Sequence, residues 1–173
     1  MFVVARANYA GVFGTNAIED SPSNGNGTFL ENSKVSFGLF YDGLTHTMIV
    51  GERSSRLGAT TWVGAVPGAH QAKARVVGRA ERVPNDILGR FADFSSHHPT
   101  GAYFLMAGGS VHLFTAEMDV EVYRALATLA ADRTSDVITR LPPRAADDEQ
   151  WVLLERQVKG LARAPVNARR TTR

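Results

Sequence analysis

The clearest pattern of hydrophobic and polar positions lies between residues 102 and 114. Two strand-like runs, Ala102-Tyr103-Phe104-Leu105-Met106-Ala107 and Ser110-Val111-His112-Leu113-Phe114, flank the pair Gly108-Gly109. β-Branched and aromatic residues favour strands, and two glycines supply the positive φ angles that a type I′ hairpin turn needs. The sequence therefore predicts an antiparallel hairpin that turns at Gly108-Gly109.

Two apolar runs upstream of the hairpin are also typical of strands. Thr47 to Val50 forms one, and Thr60 to Val66 forms the other, which is centred on Trp62. Because Trp62 lies between β-branched neighbours, we predict that it packs in the core rather than serving as a ligand platform. Asn24-Gly25-Asn26-Gly27 indicates a loop, since both residue types tolerate positive φ.

Helical periodicity appears twice. Asp119 is a good N-cap, and Tyr123, Leu126 and Ala130 follow it at helical spacing, which predicts a helix over about 119–131. A second helix is predicted over about 147–163, with an apolar stripe formed by Trp151, Leu154, Val158 and Leu161. We therefore expect an α+β fold, mainly antiparallel sheet, with one helix near 119–131 and an appended C-terminal helix near 147–163.

Composition divides the chain into three parts. Residues 1–131 are predicted to form a β-rich globular domain, residues 132–146 a linker that contains Pro142-Pro143, and residues 147–173 an amphipathic helix and basic tail. Of the 19 basic and 17 acidic residues, nine and six lie in 132–173. The preceding body is close to neutral and shows no basic stripe, so we expect no nucleic-acid partner.

Some kinds of site and segment are excluded by residue content. The chain has no Cys, so neither disulfides nor thiolate metal sites contribute. The opening apolar residues 1–5 end at Arg6, before the core of a signal peptide could form, and no apolar run is long enough to span a bilayer. We therefore expect no export signal in the chain as written.

The candidate chemical groups are few. His97 and His98 point to opposite sides of an extended segment, which disfavours a shared metal, and we predict that His98 donates to a main-chain carbonyl near the hairpin. Glu52 is predicted to pair with an arginine such as Arg53 or Arg75. A hydrolase that uses His98, Glu52 and Asp42 would require these side chains to converge in one pocket.

A serine triad is also not supported. Ser54, His98 and Asp42 could be combined on paper, but the Gly-x-Ser-x-Gly pattern of a nucleophile elbow is absent. The glycine-rich strings lack the Lys-Ser/Thr of a phosphate loop. We therefore predict no catalytic, cofactor-binding or metal-binding residue, and no cofactor.

An ordered set of short strings resembles one bacterial family. It is similar to the prepilin-type processing-associated His-x(9)-Asp-Gly domain, also known as domain of unknown function 1559, from about residue 8 to 131. The strings are Asn8-Tyr9-Ala10-Gly11-Val12-Phe13-Gly14-Thr15, Asp42-Gly43-Leu44-Thr45, Met48-Ile49-Val50-Gly51-Glu52-Arg53-Ser54-Ser55, Thr61-Trp62-Val63-Gly64, Phe94-Ser95-Ser96 with His98-Pro99, the hairpin, and Val122-Tyr123-Arg124-Ala125-Leu126-Ala127-Thr128. The motif positions expected to be structural are Asp42, Gly43, Glu52, Arg53, Trp62, His98, Gly108 and Gly109.

The resemblance implies a function. Family members carry an N-terminal prepilin segment and a long hydrophobic helix, which implies export to the cell envelope, membrane anchoring and assembly into a pseudopilus. We therefore expect a non-enzymatic structural or assembly module of a prepilin-like surface protein, with protein partners or self-association, and membrane contact only through a missing N-terminal helix. The alternative is an envelope ligand- or glycan-binding module that uses Trp62 or Tyr103.

The chain departs from the family pattern in four places. The prepilin segment is missing, His46 stands where Asn is usual, Gly108 replaces the Asp of the motif that starts at His98, and nothing after Ala131 matches. The loss of that Asp would remove any metal or acid role for it. The missing segment leads us to expect a truncated family member or a fragment of a larger exported protein.

Overall fold

A single five-stranded sheet organises the protein. The computed structural model describes residues 3–19 and 22–130, and in this part the strand order is β3-β1-β2-β4-β5. The strands are β1 (Tyr9–Gly14), β2 (Met48–Glu52), β3 (Val77–Arg79), β4 (Gly101–Met106) and β5 (Val111–Thr115). Helices are the α-helix α1 (Val120–Leu126) and the 3₁₀ turns Phe37–Leu39, Leu44–His46 and Lys73–Arg75.

The strand pairing confirms the predicted fold class. β1–β2, β2–β4 and β4–β5 are antiparallel, and β1–β3 is parallel. The predicted helix near 119–131 is present but shorter, with Asp119 Oδ1 accepting from the Glu121 N–H at 2.8 Å as its N-cap. The predicted linker 132–146 and the helix and tail of 147–173 lie outside the described residues.

The hairpin is confirmed, but its turn differs from the predicted type. β4 and β5 pair from Gly101↔Thr115 to Leu105↔Val111, and Met106 N–H donates to Ser110 O at 2.8 Å. Three residues therefore form the loop, and Gly109 N–H donates to Met106 O at 2.9 Å. Gly109 has φ of 90°, whereas Gly108 does not have positive φ, so the type I′ prediction is wrong. Three-residue hairpin loops need a left-handed residue at one position only.

We expect Gly109→Val to lower the free energy of unfolding by about 1–3 kcal/mol, because a β-branched residue is strained at positive φ. An added Cβ at Gly109 would have no atom within 4 Å, so the loss would report backbone conformation and not crowding. Gly109→Asn should recover part of it, since Asn tolerates left-handed backbone better. Urea denaturation of the unmodified protein, Gly109→Val and Gly109→Asn gives the three unfolding midpoints. Equal midpoints for Gly109→Val and the unmodified protein would contradict the positive φ assigned to position 109.

The main core lies on one face of the sheet, which we call the inner face. There α1 packs on the aromatic residues of β4, with the Tyr123 and Phe104 ring centroids 5.8 Å apart and the Phe94 and Phe104 centroids 5.1 Å apart. Its other buried members include Ala10, Val12, Met48, Ala102, Met106, Phe114, Val122 and Leu126. The alternation of buried and exposed positions along β4 therefore orients the whole sheet.

The opposite, outer face is covered only in part by the described residues. Over β1 and β3 a second cluster forms from Phe13, Ile18, Ala74, Leu30, Val77, Phe91 and Ala92. Over the other strands, Tyr103 stays 40% exposed and Val111 57% exposed. Loops therefore cover the half of the outer face over β1 and β3, while aromatic and apolar side chains over the other strands remain accessible to solvent.

Candidate functional site

The string Gly51-Glu52-Arg53 places three consecutive residues in three different environments. Gly51 faces the inner core, where a Cβ would lie 2.3 Å from the Phe104 ring and 2.7 Å from the Phe94 ring. Glu52, the next residue, faces outward because strand side chains alternate. Arg53 follows the end of β2 and is buried, with 1% of its surface exposed. The position along the strand therefore determines what each residue can do.

Arg53 joins the end of β2 to the segment that precedes β3. Its Nη1 donates to the main-chain carbonyls of Ala74 at 2.5 Å and Val77 at 3.2 Å, and its guanidinium lies 5.1 Å from the centre of the Phe91 ring. Burial lowers the pKa of Arg53 to about 10, although the charge of Asp93 opposes this shift. Glu52 contacts the Tyr103 N–H and His98 instead of Arg53 or Arg75, so the predicted pairing of Glu52 with one of these arginines is wrong.

A second, half-buried arginine contacts the same ring. The Arg75 guanidinium lies 5.0 Å from the centre of the Phe91 ring, and its Nη1 and Nε donate to the carbonyls of Ala59 and His70, each at 3.0 Å. Phe91 therefore contacts both arginines. Since both arginines donate hydrogen bonds to main-chain carbonyls, they are not free cationic groups. They act as structural clamps that join the end of β2, the loop around Ala59 and the segment 70–77.

Glu52, His98 and Tyr103 meet on the outer face. Glu52 Oε2 accepts from the Tyr103 N–H at 2.9 Å, and Oε1 lies 3.6 Å from His98 Nε2. The His98 ring meets the Tyr103 ring edge-on with centroids 5.3 Å apart, and 55% of the His98 side chain is exposed. The predicted bond from His98 to a main-chain carbonyl is therefore wrong, because its ring contacts a carboxylate and an aromatic side chain instead.

The Asp42-Gly43 motif lies at the other end of the sheet. Gly43 has φ of 93° and ψ of 153°, a region open essentially to Gly alone, and its carbonyl accepts from Thr47 Oγ1 at 3.2 Å. Gly108 N–H donates to Leu44 O at 2.8 Å, so this motif supports the hairpin turn. Burial lowers the pKa of the neighbouring His46, against the opposing influence of Asp42.

The proposed hydrolase residues do not converge. From Met48 to Glu52 the chain is a strand of about 13 Å, and Asp42 lies before its start while His98 lies at its end. Residues 98 and 108 are likewise separated by β4, whose six residues span about 17 Å. An Asp at position 108 could therefore not share a site with His98, whatever the family motif carries there.

Several apolar side chains are exposed where β1 and β4 begin and β2 ends. We call this region the open end and define it by Tyr9, Glu52, His98 and Tyr103 with the adjoining loops 56–63 and 84–91. Tyr9 pairs with Glu52 in register and is 48% exposed. The loops add Trp62, Val63, Ile87 and Leu88, which are 63%, 67%, 97% and 67% exposed.

The open end corrects two predictions about Trp62. Residues 60–66 do not form a strand, since Thr60 makes only an isolated bridge to Ala7, and Trp62 lies outside the core. Gly64, at φ of 113°, turns the chain away soon afterwards. β-Branched neighbours favoured a strand locally, but the sheet has no position for it beside Ala7.

Asn85 is a site residue that the sequence pattern did not reveal. Its φ is 62°, and both polar atoms of its side-chain amide make hydrogen bonds. Nδ2 donates to the carbonyls of His98 and Gly101 at 2.9 and 3.3 Å. Oδ1 accepts from Ser96 N–H and Arg56 Nη2 at 2.8 and 3.2 Å. Pro84-Asn85-Asp86 is a turn sequence, which was the only signal available. These bonds hold the loop that carries Ile87 and Leu88.

Neither a metal-binding cluster of side chains nor a membrane-spanning helix is found in the described part of the chain. No group of three or more His, Asp or Glu side chains there is arranged to hold a metal ion. Within the same residues, no helix is long and apolar enough to cross a bilayer.

The family can now be assigned. The model of the family described as protein of unknown function (DUF1559) matches residues 4–121. The chain belongs to this family. No curated protein and no solved structure matches it significantly. The matched range contains β1 to β5, both arginine clamps and the open end.

Proposed function

We propose that the domain is a non-enzymatic binding and assembly module of a prepilin-like exported protein, and that a protein partner docks on the open end. The prepilin-like setting comes from the sequence resemblance. The role of the open end is supported by one observation above all. Trp62, Val63, Ile87 and Leu88 are more than half exposed on loops that the arginine clamps and Asn85 hold in place.

Exposed aromatic and aliphatic side chains on rigid loops favour protein binding. Trp and Tyr are enriched among the residues that dominate interface energies, and large exposed apolar side chains gathered at one end of a domain are typical of binding surfaces. Asn85 uses both its amide donor and its acceptor to fix the 84–91 loop. A fixed loop loses little conformational freedom on binding, which favours affinity.

The arrangement of the polar residues favours binding over catalysis. Glu52 is engaged by the Tyr103 N–H and lies beside His98, while Asp42, the third residue of the hydrolase alternative, is at the far end of the sheet. A general base needs access to the proton that it removes, together with an activated nucleophile. Glu52 instead stabilises the start of β4.

The test is site-specific photo-crosslinking in the native host. A photoreactive amino acid at Leu88 is expected to form an adduct with a second protein, whereas the same group at Phe37, which is 75% exposed but lies outside the open end, should not. Trp62→Ser should reduce the Leu88 adduct at least several-fold. Equal adduct yields at both positions, or no effect of Trp62→Ser, would argue against the open end as a binding surface.

A glycan-binding function is the second candidate, and one feature favours it. Tyr9 and Tyr103 lie on either side of Glu52 on the outer face, which places two half-exposed rings around a carboxylate. Rings can stack on sugars while the carboxylate accepts hydroxyl hydrogen bonds. Calorimetric titration with soluble cell-wall oligosaccharides should then give heat that Tyr103→Ala abolishes and that Tyr41→Ala, also at an exposed tyrosine, retains.

A further inference from the structure

The two edges of the sheet are built differently. At the β3 edge, the main chain of Arg79 forms an isolated β-bridge with that of Asp93, and the Arg79 N–H donates to Ala92 O at 2.8 Å. The loop that contains Ala92 and Asp93 therefore covers this short strand. At the β5 edge, no described residue outside the hairpin pairs with Val111 or Leu113. β5 is thus an open edge within the part of the chain that the structure describes.

The hydrogen-bond phase of the hairpin shows which groups of β5 face this edge. Met106 N–H donates to Ser110 O, so the pairs that exchange hydrogen bonds continue at Phe104↔His112 and Ala102↔Phe114. The residues between them, Val111 and Leu113, therefore direct their N–H and C=O groups away from β4. This row of donors and acceptors can pair only with another extended strand.

β5 also lacks the features that normally prevent edge pairing. Val111-His112-Leu113-Phe114-Thr115 contains no Lys, Arg, Asp, Glu or Pro, and its register with β4 runs without a bulge. Natural edge strands are usually protected by charges, proline, bulges or covering loops. Val111, 57% exposed, adds an apolar side chain on the outer face beside the edge.

We propose that β5 pairs antiparallel with β5 of a second copy of this chain, about a two-fold axis at Leu113, to give a continuous ten-stranded sheet. In this register Leu113 faces its own copy, Val111 faces Thr115, and His112 faces Phe114. No two like charges oppose each other, because Glu117 of one copy falls opposite Gly109 of the other. An isologous interface of this kind closes as a dimer. It adjoins the open end at Tyr103, the cross-strand neighbour of Leu113, but its strand does not include the loops that carry Trp62, Val63, Ile87 and Leu88.

The side chains also match across the axis. Val111, Leu113 and Thr115 alternate onto the outer face, next to the exposed Tyr103 and the half-buried Leu105, so apolar surface continues from one copy to the next. His112 and Phe114 lie on the inner face, where their rings already stack at 6.3 Å. A second copy is the occupant that supplies this same charge-free strand in the matching direction.

Disulfide trapping tests the register, because the chain contains no Cys of its own. In the full chain, Leu113→Cys should form a disulfide-linked dimer under mild oxidation, since directly opposed Cα atoms in a hydrogen-bonded pair are about 5.5 Å apart, within disulfide reach. Val111→Cys should not, because it lies about 14 Å along the strand from its own copy. Val63→Cys, at the open end, is the second control.

Sedimentation equilibrium of the unmodified sequence gives an independent measurement. The chain is expected to show a concentration-dependent monomer–dimer equilibrium that Val111→Lys weakens at least tenfold and Ile87→Lys leaves unchanged. Ile87 is the matched control because it is 97% exposed on the open end. Loss of the dimer in Ile87→Lys alone, or equal trapping of Leu113→Cys and Val63→Cys, would overturn the β5 proposal without affecting the proposed function.

Discussion

Replacing Arg53 by Ala is expected to destabilise the domain by at least about 3 kcal/mol, since a buried acceptor left without a donor costs about 1–3 kcal/mol and a cavity adds to that. Two acceptors, the buried carbonyl of Ala74 and the half-buried carbonyl of Val77, lose their donor. The Phe91 ring also loses the guanidinium beside it. Arg53→Ala should therefore unfold well below the unmodified protein in a urea titration.

Two further variants separate the contributions at this position. Arg53→Met fills most of the volume but donates no hydrogen bond, so it should recover the cavity term alone. Arg53→Lys keeps a donor and a charge but lacks the flat group that lies over Phe91. Arg6, an exposed arginine, is the control, and Arg6→Ala should change stability by less than about 0.5 kcal/mol.

The location of the damage is as informative as its size. If Arg53 joins β2 to the segment before β3, amide hydrogen exchange in residues 70–77 should rise in Arg53→Ala under native conditions, before any change in β4 and β5. Local opening has a lower free energy than global unfolding, so exchange detects it selectively. Uniform exchange across the sheet, or a midpoint equal to that of Arg6→Ala, would show that Arg53 is not the clamp.

The second large effect is expected for Gly51→Ala. An added Cβ would lie 2.3 Å from the Phe104 ring and 2.7 Å from the Phe94 ring, which are 0% and 1% exposed and cannot move without disturbing α1. Overpacking of this kind typically costs about 1–3 kcal/mol and occasionally more. We expect Gly51→Ala at the upper end of that range, with its thermal midpoint lowered by many degrees.

Gly11 provides a matched control on the adjacent strand. It faces the outer side, where a Cβ would lie 2.8 Å from the ring and 3.2 Å from the Cβ of Phe29, a residue that is 44% exposed and has room to shift toward solvent. Gly11→Ala should therefore cost clearly less than Gly51→Ala, although both glycines are in the sheet. Equal losses would indicate that strand backbone, and not inner-face crowding, requires glycine at position 51.

Local signals predicted those elements that local interactions determine. The hairpin followed from two strand-like runs around a glycine pair, and the start of α1 followed from Asp119, whose side chain reaches the Glu121 N–H two residues later. β2 was also located correctly through Met48-Ile49-Val50. Each of these features depends on contacts within a few residues, which periodicity and capping preferences describe well.

The site residues depended on contacts that are distant in the sequence. Glu52 contacts Tyr103, which is 51 positions away, and Arg53 contacts Ala74, which is 21 positions away. No rule based on sequence spacing could have selected Tyr103 over Arg53 or Arg75 as the partner of Glu52. Trp62 was misplaced for the same reason. Its neighbours have strand propensity, but a strand also needs a free sheet edge with which to pair. In this segment Thr60 forms only an isolated β-bridge with Ala7.

By itself, the sequence determined the family, the α+β class, the hairpin and the helix cap, because hydrophobic alternation, glycine pairs and N-caps act over short distances. Only the tertiary structure decided that the motif residues belong to two separate ends of the sheet, with Asp42, Gly43, Gly108 and Gly109 at one and Glu52, Arg53, Trp62 and His98 at the other. The physical reason is that strands extend about 3.3 Å per residue. Residues close in a motif can therefore be far apart in space, whereas long-range burial and hydrogen bonding bring distant ones together.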